Sequence, residues 1–125
     1  MSSSSSLILV AHGSRRDASN DEIRRLTRQV AAGSRYQQVG CGFLELADPD
    51  IPTAITQAIE QGARKILVLP YFLSAGRHIT EDIPAILNTA RQQHPDTEIC
   101  QLPYVGQQSG MVELLRCAAQ ESSRL

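Results

Sequence analysis

The sequence predicts an α/β fold: a four-stranded parallel sheet in the order 2-1-3-4, sandwiched between helices in the flavodoxin-like manner. Three observations predict it. Short apolar runs alternate four times with amphipathic segments of about 10 to 15 residues, the signature of βα units joined by right-handed crossovers. The apolar runs are continuous, as in strands covered on both faces. Finally, the first and third runs both end on glycine, arginine and histidine, and the carboxyl ends of the strands are where open sheets of this kind bind ligands.

Each element has its own signals. Residues 6 to 11 form the first strand, preceded by serines 2 to 6, a polar segment expected to be frayed (1–6 in all). The next segment carries Ile23, Leu26 and Val30 at helical spacing, with Ser19 and Glu22 as a capping box and Gly33 as the stop. "QVGCGFLEL", about residues 38 to 46, reads as the second strand. Asp50 is then a cap candidate, with Pro52 in the first turn, Ile51, Ile55, Ala58 and Ile59 inward, and Gly62 at the end. "KILVLPYFL" is the third strand, in which Pro70 marks its end or a sheet edge. A helix over about residues 80 to 93 turns Ile83, Ile86, Leu87 and Ala90 inward and closes at His94 and Pro95. "EICQLPYV" is the fourth strand, and Met111, Val112, Leu114, Leu115 and Ala118 define a last helix.

Composition narrows the class. The 125 residues fit one domain, 1–125, large enough to bury a core without staples. Twelve basic against thirteen acidic side chains leave a net charge of −1, so no nucleic-acid or anionic-membrane surface is indicated. Cys41, Cys100 and Cys117 are odd in number and form no CxxC pair, so they read as buried, reduced thiols of a cytoplasmic protein. No run approaches the roughly 20 apolar residues of a membrane span. The serines follow no basic region and precede no cleavage-type site, so they are not read as a secretory signal.

Chemistry concentrates at two strand ends. For the order 2-1-3-4 the winding switches between the first and third strands, so His12 and His78 should share a crevice although 66 positions apart. Glu45, at the end of the second strand, opens onto the same edge. Two imidazoles and a carboxylate suit a divalent metal such as Fe, Co, Ni or Zn, and can accept protons near neutral pH. Arg15, Arg16 and Arg77 ring this edge, either as solvated charges or as a grip for carboxylates of a polyanionic ligand. Ser14 can cap the following helix or meet a ligand oxygen. Tyr71 and Phe72 border the site as core or as ligand platform, whereas His94 reads as a helix-end cap.

No GxGxxG, Walker lysine or GxSxG elbow is present. A receiver-like signalling domain needs acidic residues after the first strand, where this chain has "HGSRR". A phosphate-transferring histidine enzyme would carry RHG in place of AHG.

"LILVAHGSRR", "GFLELADPDIPTAI" and "KILVLPYFLSAGRHITEDIP" together resemble the small class II tetrapyrrole chelatases, the CbiX/SirB sirohydrochlorin chelatases, over about residues 7 to 118. The resemblance implies insertion of Co²⁺ or Fe²⁺ (Ni²⁺ suits the same ligands) into sirohydrochlorin, on the route to cobalamin or siroheme, with the metal as substrate and no permanently bound cofactor. It implies His12 and His78 as the metal-binding and proton-accepting pair and Glu45 as their acidic partner. Longer relatives hold two such domains face to face, so a single domain implies the short form, working as a homodimer. A metal- or tetrapyrrole-binding module without turnover would use the same residues.

Overall fold

The computed structural model describes residues 4–122. Its elements are β1 (Ser5–Ala11), α1 (Asp17–Ala32), β2 (Gln38–Phe43), α2 (Ile51–Glu60), β3 (Lys65–Pro70), α3 (Ile83–Gln93), β4 (Glu98–Gln101) and α4 (Gly110–Ser122). A single π-helical turn, His78–Asp82, runs directly into α3, and a 3-10 turn, Val105–Gln107, precedes α4. All strand pairs are parallel and the order is β2-β1-β3-β4, as the sequence predicts. Val10 stands between Gly42 and Pro70, so the three strand ends that matter are level with one another.

One face of the sheet carries the main core. Ile8, Val10, Ile66, Val68 and Ile99 meet Ile51 and Ile55 of α2 and Ile83 and Leu87 of α3. Each fully buried aliphatic side chain of this kind contributes roughly 1.5–3 kcal/mol. Asp50 caps α2 as expected, accepting from the Thr53 N–H at 2.9 Å. Gly42 explains why a strand here carries glycine: a Cβ would stand 3.1 Å from the Ile51 Cα, so α2 lies close on β2.

The other face departs from expectation in several ways. The Ser19–Glu22 capping box does not form, because α1 begins at Asp17 with Arg16 at its cap position and no side-chain cap. Asn20 and Thr27 are the buried residues of α1, and Val30, expected inward, is exposed. Ser5 and Ser6 belong to β1 and not to a frayed terminus: Ser6 is buried, and its hydroxyl donates to the Gln38 carbonyl at 3.4 Å. Residues 1–3 of that expected terminus lie outside the described residues. Cys41 and Cys100 are only half-buried and Cys117 is exposed, so the cysteines are not core thiols. Burial first, and the neighbouring Glu98 second, push the Cys100 thiol pKa up.

Three strands also stop sooner than their apolar runs. β2 ends at Phe43, whose N–H turns to the Pro49 carbonyl at 2.9 Å, and β3 ends at Pro70. β4 ends at Gln101. The residues beyond these ends form the loops of the site. Among the described residues no helix is long and apolar enough to cross a membrane.

Candidate functional site

His12 and Glu45 are brought together by backbone pairing that outlasts the strands. Leu44 N–H donates to the Ala11 carbonyl at 2.9 Å, and Glu45 N–H donates to the His12 carbonyl at 3.1 Å. Gly13 then turns the chain away with φ +94°, and any Cβ there would overlap the Glu45 carbonyl. Only glycine allows both the backbone angle and the close approach.

The turn is held from below by Asn20. Its side-chain oxygen accepts from Ser14 N–H at 3.0 Å, and its amide donates to the Ser14 carbonyl at 2.7 Å. The Ser14 hydroxyl accepts from Arg16 N–H at 3.0 Å, closing a turn just ahead of α1.

His78 arrives from the other side, as the first residue of the π-helical turn. Gly76 opens that turn by accepting from Ile79 and Thr80, both at 3.0 Å. The imidazoles of His12 and His78 meet edge to face, with ring centroids 4.8 Å apart and planes at 60°, and Phe72 stacks on His78 at 6.1 Å. The structure therefore brings together His12, His78 and Glu45. Arg15, Arg16 and Arg77 stay exposed on the rim, Arg77 lying 4.0 Å from Glu81. His94 is remote in role, its N–H closing α3 on the Ala90 carbonyl.

The hydrogen bonds orient both rings. His12 Nδ1 lies 3.0 Å from the Gly13 carbonyl, which can only accept, so Nδ1 carries the hydrogen and Nε2 the lone pair. That Nε2 faces the Glu45 carboxylate at 3.3 Å. Two acceptors face each other there, an arrangement that a shared proton or a cation stabilises. His78 Nδ1 lies 2.7 Å from an Asp82 carboxylate oxygen, so its Nδ1 also carries the hydrogen and its Nε2 the lone pair. This is the carboxylate–histidine pairing that orients metal-ligating imidazoles.

Asp82 and Asn20 are the functional side chains that sequence reasoning missed. For Asp82 the signal was available, since residues four apart on a helix face one another. Asn20 gave none, because its partner is loop backbone.

The site is open. Both histidine side chains are a little over two-fifths exposed (43% and 42%), and a groove of about 340 Å³ runs from His12 past Asn20, Phe43 and Phe72. A larger depression of about 520 Å³ lies beside β2, between α1 and α2, and contains no histidine. Among the described residues no three His, Cys, Asp or Glu side chains form a group that could by itself cage a metal ion.

Known proteins share this chain's sequence pattern and fold. The sequence profile of the family described as CbiX matches residues 6–122. The sirohydrochlorin cobaltochelatase of Methanocaldococcus jannaschii is 41% identical over 88 residues, 70% of this chain and 62% of that protein. The chloroplastic sirohydrochlorin ferrochelatase of Arabidopsis thaliana is 36% identical over 87 residues, 70% of this chain and 39% of that protein. The chain thus spans less than two-thirds of the length of either relative. Among solved structures, a CbiX protein of cobalamin (vitamin B12) biosynthesis from Marinobacter aquaeolei VT8 superposes with a TM-score of 0.83 at 27% identity. That match covers 96% of this chain and 98% of the other. The sirohydrochlorin chelatase SirB of Bacillus subtilis subspecies spizizenii, in complex with cobalt, gives 0.82 at 26% identity, covering 94% of this chain and 50% of SirB.

Proposed function

The chain belongs to the CbiX family, and from that premise we propose that it inserts a divalent metal ion, Co²⁺ or Fe²⁺, into sirohydrochlorin. The observation that carries the proposal is the His12–His78 pair, with each Nδ1 engaged and each Nε2 left with its lone pair. Relatives named as cobaltochelatases and a ferrochelatase support the substrate, and the SirB complex with cobalt supports the metal.

The reaction balances as metal ion plus macrocycle giving metallated macrocycle and two protons. His12 and His78 hold the ion through two neutral nitrogens, a set that suits Fe²⁺, Co²⁺ and Ni²⁺ alike. Their weak, partial cage leaves positions for pyrrole nitrogens to displace water. The two pyrrole N–H protons leave toward the Glu45 carboxylate and the imidazole it faces. Arg15, Arg16 and Arg77 sit where they can pair with the macrocycle's carboxylates, which gives local positive charge a purpose on a chain of net charge −1. The metal is consumed as substrate and no resident cofactor is required.

A second copy of the chain supplies the far wall of the cleft. The imidazole pair is open on one side, and the chain covers only half of SirB. An exposed thiol at Cys117 suits a reducing compartment, which favours the cytoplasm.

The test is purified protein mixed with sirohydrochlorin and each metal in turn, followed by the visible spectrum. Multiple turnovers per chain are the expected result. Binding of metal or macrocycle with no metallated product would point to a non-catalytic module of the same fold.

A further inference from the structure

We infer that Gln101 is a positioning residue for His78: its side-chain amide holds open the π-helical turn from which that ring reaches His12. The inference rests on the reading of His78 as a metal ligand, and it adds how the ring's aim is set from β4, a strand that supplies no ligand.

The turn owes its width to Pro84. A proline inside a helix has no N–H, and its ring collides with the carbonyl four residues back, here that of Thr80. The helical path nonetheless runs on through it. Ile83, directly before the proline, keeps helical angles (φ −64°, ψ −48°) and is fully buried. A residue in that position ordinarily avoids this region, so the core holds it there. Widening the preceding turn relieves the collision, and the Ile83 N–H donates to the His78 carbonyl, five residues back.

That shift orphans one carbonyl. Ile79 would receive the Ile83 N–H in an α-helical turn, or the N–H of residue 84 in a π-helical one. The first is given to His78, and the second does not exist because residue 84 is proline. A backbone carbonyl drawn away from water needs another partner. Gln101 supplies it: its side-chain amide donates to the Ile79 carbonyl at 3.4 Å, in a part-buried position. Gln101 is itself well fixed. It pairs with Val68 in the sheet, and the next residue, Leu102, donates its N–H to the Val68 carbonyl at 2.8 Å.

Without that amide, the Ile79 carbonyl competes with that of His78 for the same Ile83 N–H. Closing the turn to α-helical spacing rotates everything ahead of it by one residue's worth, about 100° around the helix axis. The rings of His12 and His78 meet with centroids 4.8 Å apart, and a rotation of that size breaks the pair. Gln101 therefore acts through the turn and not on the metal.

The test uses the whole chain carrying Gln101→Met, a neutral side chain of similar length that cannot donate. Gln101 is half-buried and outside the main core, so the fold is kept. In the metal-free protein the NOE between the His12 and His78 rings should weaken. Co²⁺ affinity, by calorimetry, should fall about 10-fold, the lower end of the range for groups that orient metal ligands. The denaturation midpoint should fall as well. In a Pro84→Ala background the backbone can again serve the Ile79 carbonyl, so adding Gln101→Met should change none of the three further. An unchanged NOE and affinity in Gln101→Met would overturn the inference. So would a fall in the denaturation midpoint that is undiminished alongside Pro84→Ala. His78→Ala is read in parallel: wild-type Co²⁺ affinity there would remove the ligand reading, while the NOE still decides the role of Gln101.

Discussion

His78 and Asp82 form a 2.7 Å contact across one turn, and it is the shortest link between the candidate metal ligands and the scaffold. Because the π-helical turn is continuous with α3, which packs Ile83 and Leu87 into the core, the ring is tied to the core through that helix. The prediction concerns the tautomer. Asp82→Ala should release the Nδ1–H form of His78, visible in long-range ¹H–¹⁵N spectra, and weaken Co²⁺ binding about 10–100-fold. Asp82→Asn, which keeps an acceptor oxygen, should restore much of the binding. An unchanged tautomer and unchanged affinity in Asp82→Ala would remove the positioning role.

Asn20 should matter more than its place inside a helix implies. Its loss leaves the Ser14 N–H and carbonyl without their partner in a part-buried turn, at a cost of about 1–3 kcal/mol. Chemical denaturation of Asn20→Ala measures this directly. Metal affinity should fall as well, since the same turn aims His12. A variant as stable as the wild type would mean that Gly13 alone shapes the turn.

Asp50 gives a pH-dependent prediction away from the site. Hydrogen bonding from Thr53, its side chain first and its backbone second, holds the Asp50 carboxyl below its ordinary value of 3.8. A depressed folded-state pKa stabilises the fold above the unfolded value, and that contribution is lost as pH falls through the folded one. Asp50→Ala should therefore cost about 1 kcal/mol at neutral pH. The gap between wild type and variant should narrow below about pH 4. A gap constant down to pH 2 would show that the cap does not depend on charge.

The parts of this structure legible in the sequence are those set by local pattern. Continuous apolar runs gave four parallel strands in the right order, and Asp50 with Pro52 placed the start of α2. The His12–His78 meeting was legible because topology alone brings neighbouring strand ends together. What failed was set by tertiary contact. Ser19 offers a good cap, but Asn20 is drawn into the Ser14 turn and the helix starts earlier. The apolar run through Leu46 looks like strand, yet β2 ends at Phe43 and Leu46 adopts φ +67°. In α4 the periodicity was right and the packing was not: Val112, Leu114 and Leu115 are exposed.

In the proposed reaction His12 and His78 together deliver the metal, and single substitutions separate their contributions. Wild type, His12→Ala, His78→Ala and His94→Ala are each given sirohydrochlorin and saturating Co²⁺, and the rate of metallation is followed by the visible spectrum. Circular dichroism confirms that the fold is kept, since both rings stand on loops at strand ends and outside the core. Losses of at least about 100-fold are expected for His12→Ala and for His78→Ala, in the range for removing a group that handles the reacting metal and proton. His94→Ala should be silent. Near-wild-type rates in either site variant would contradict the paired-histidine centre.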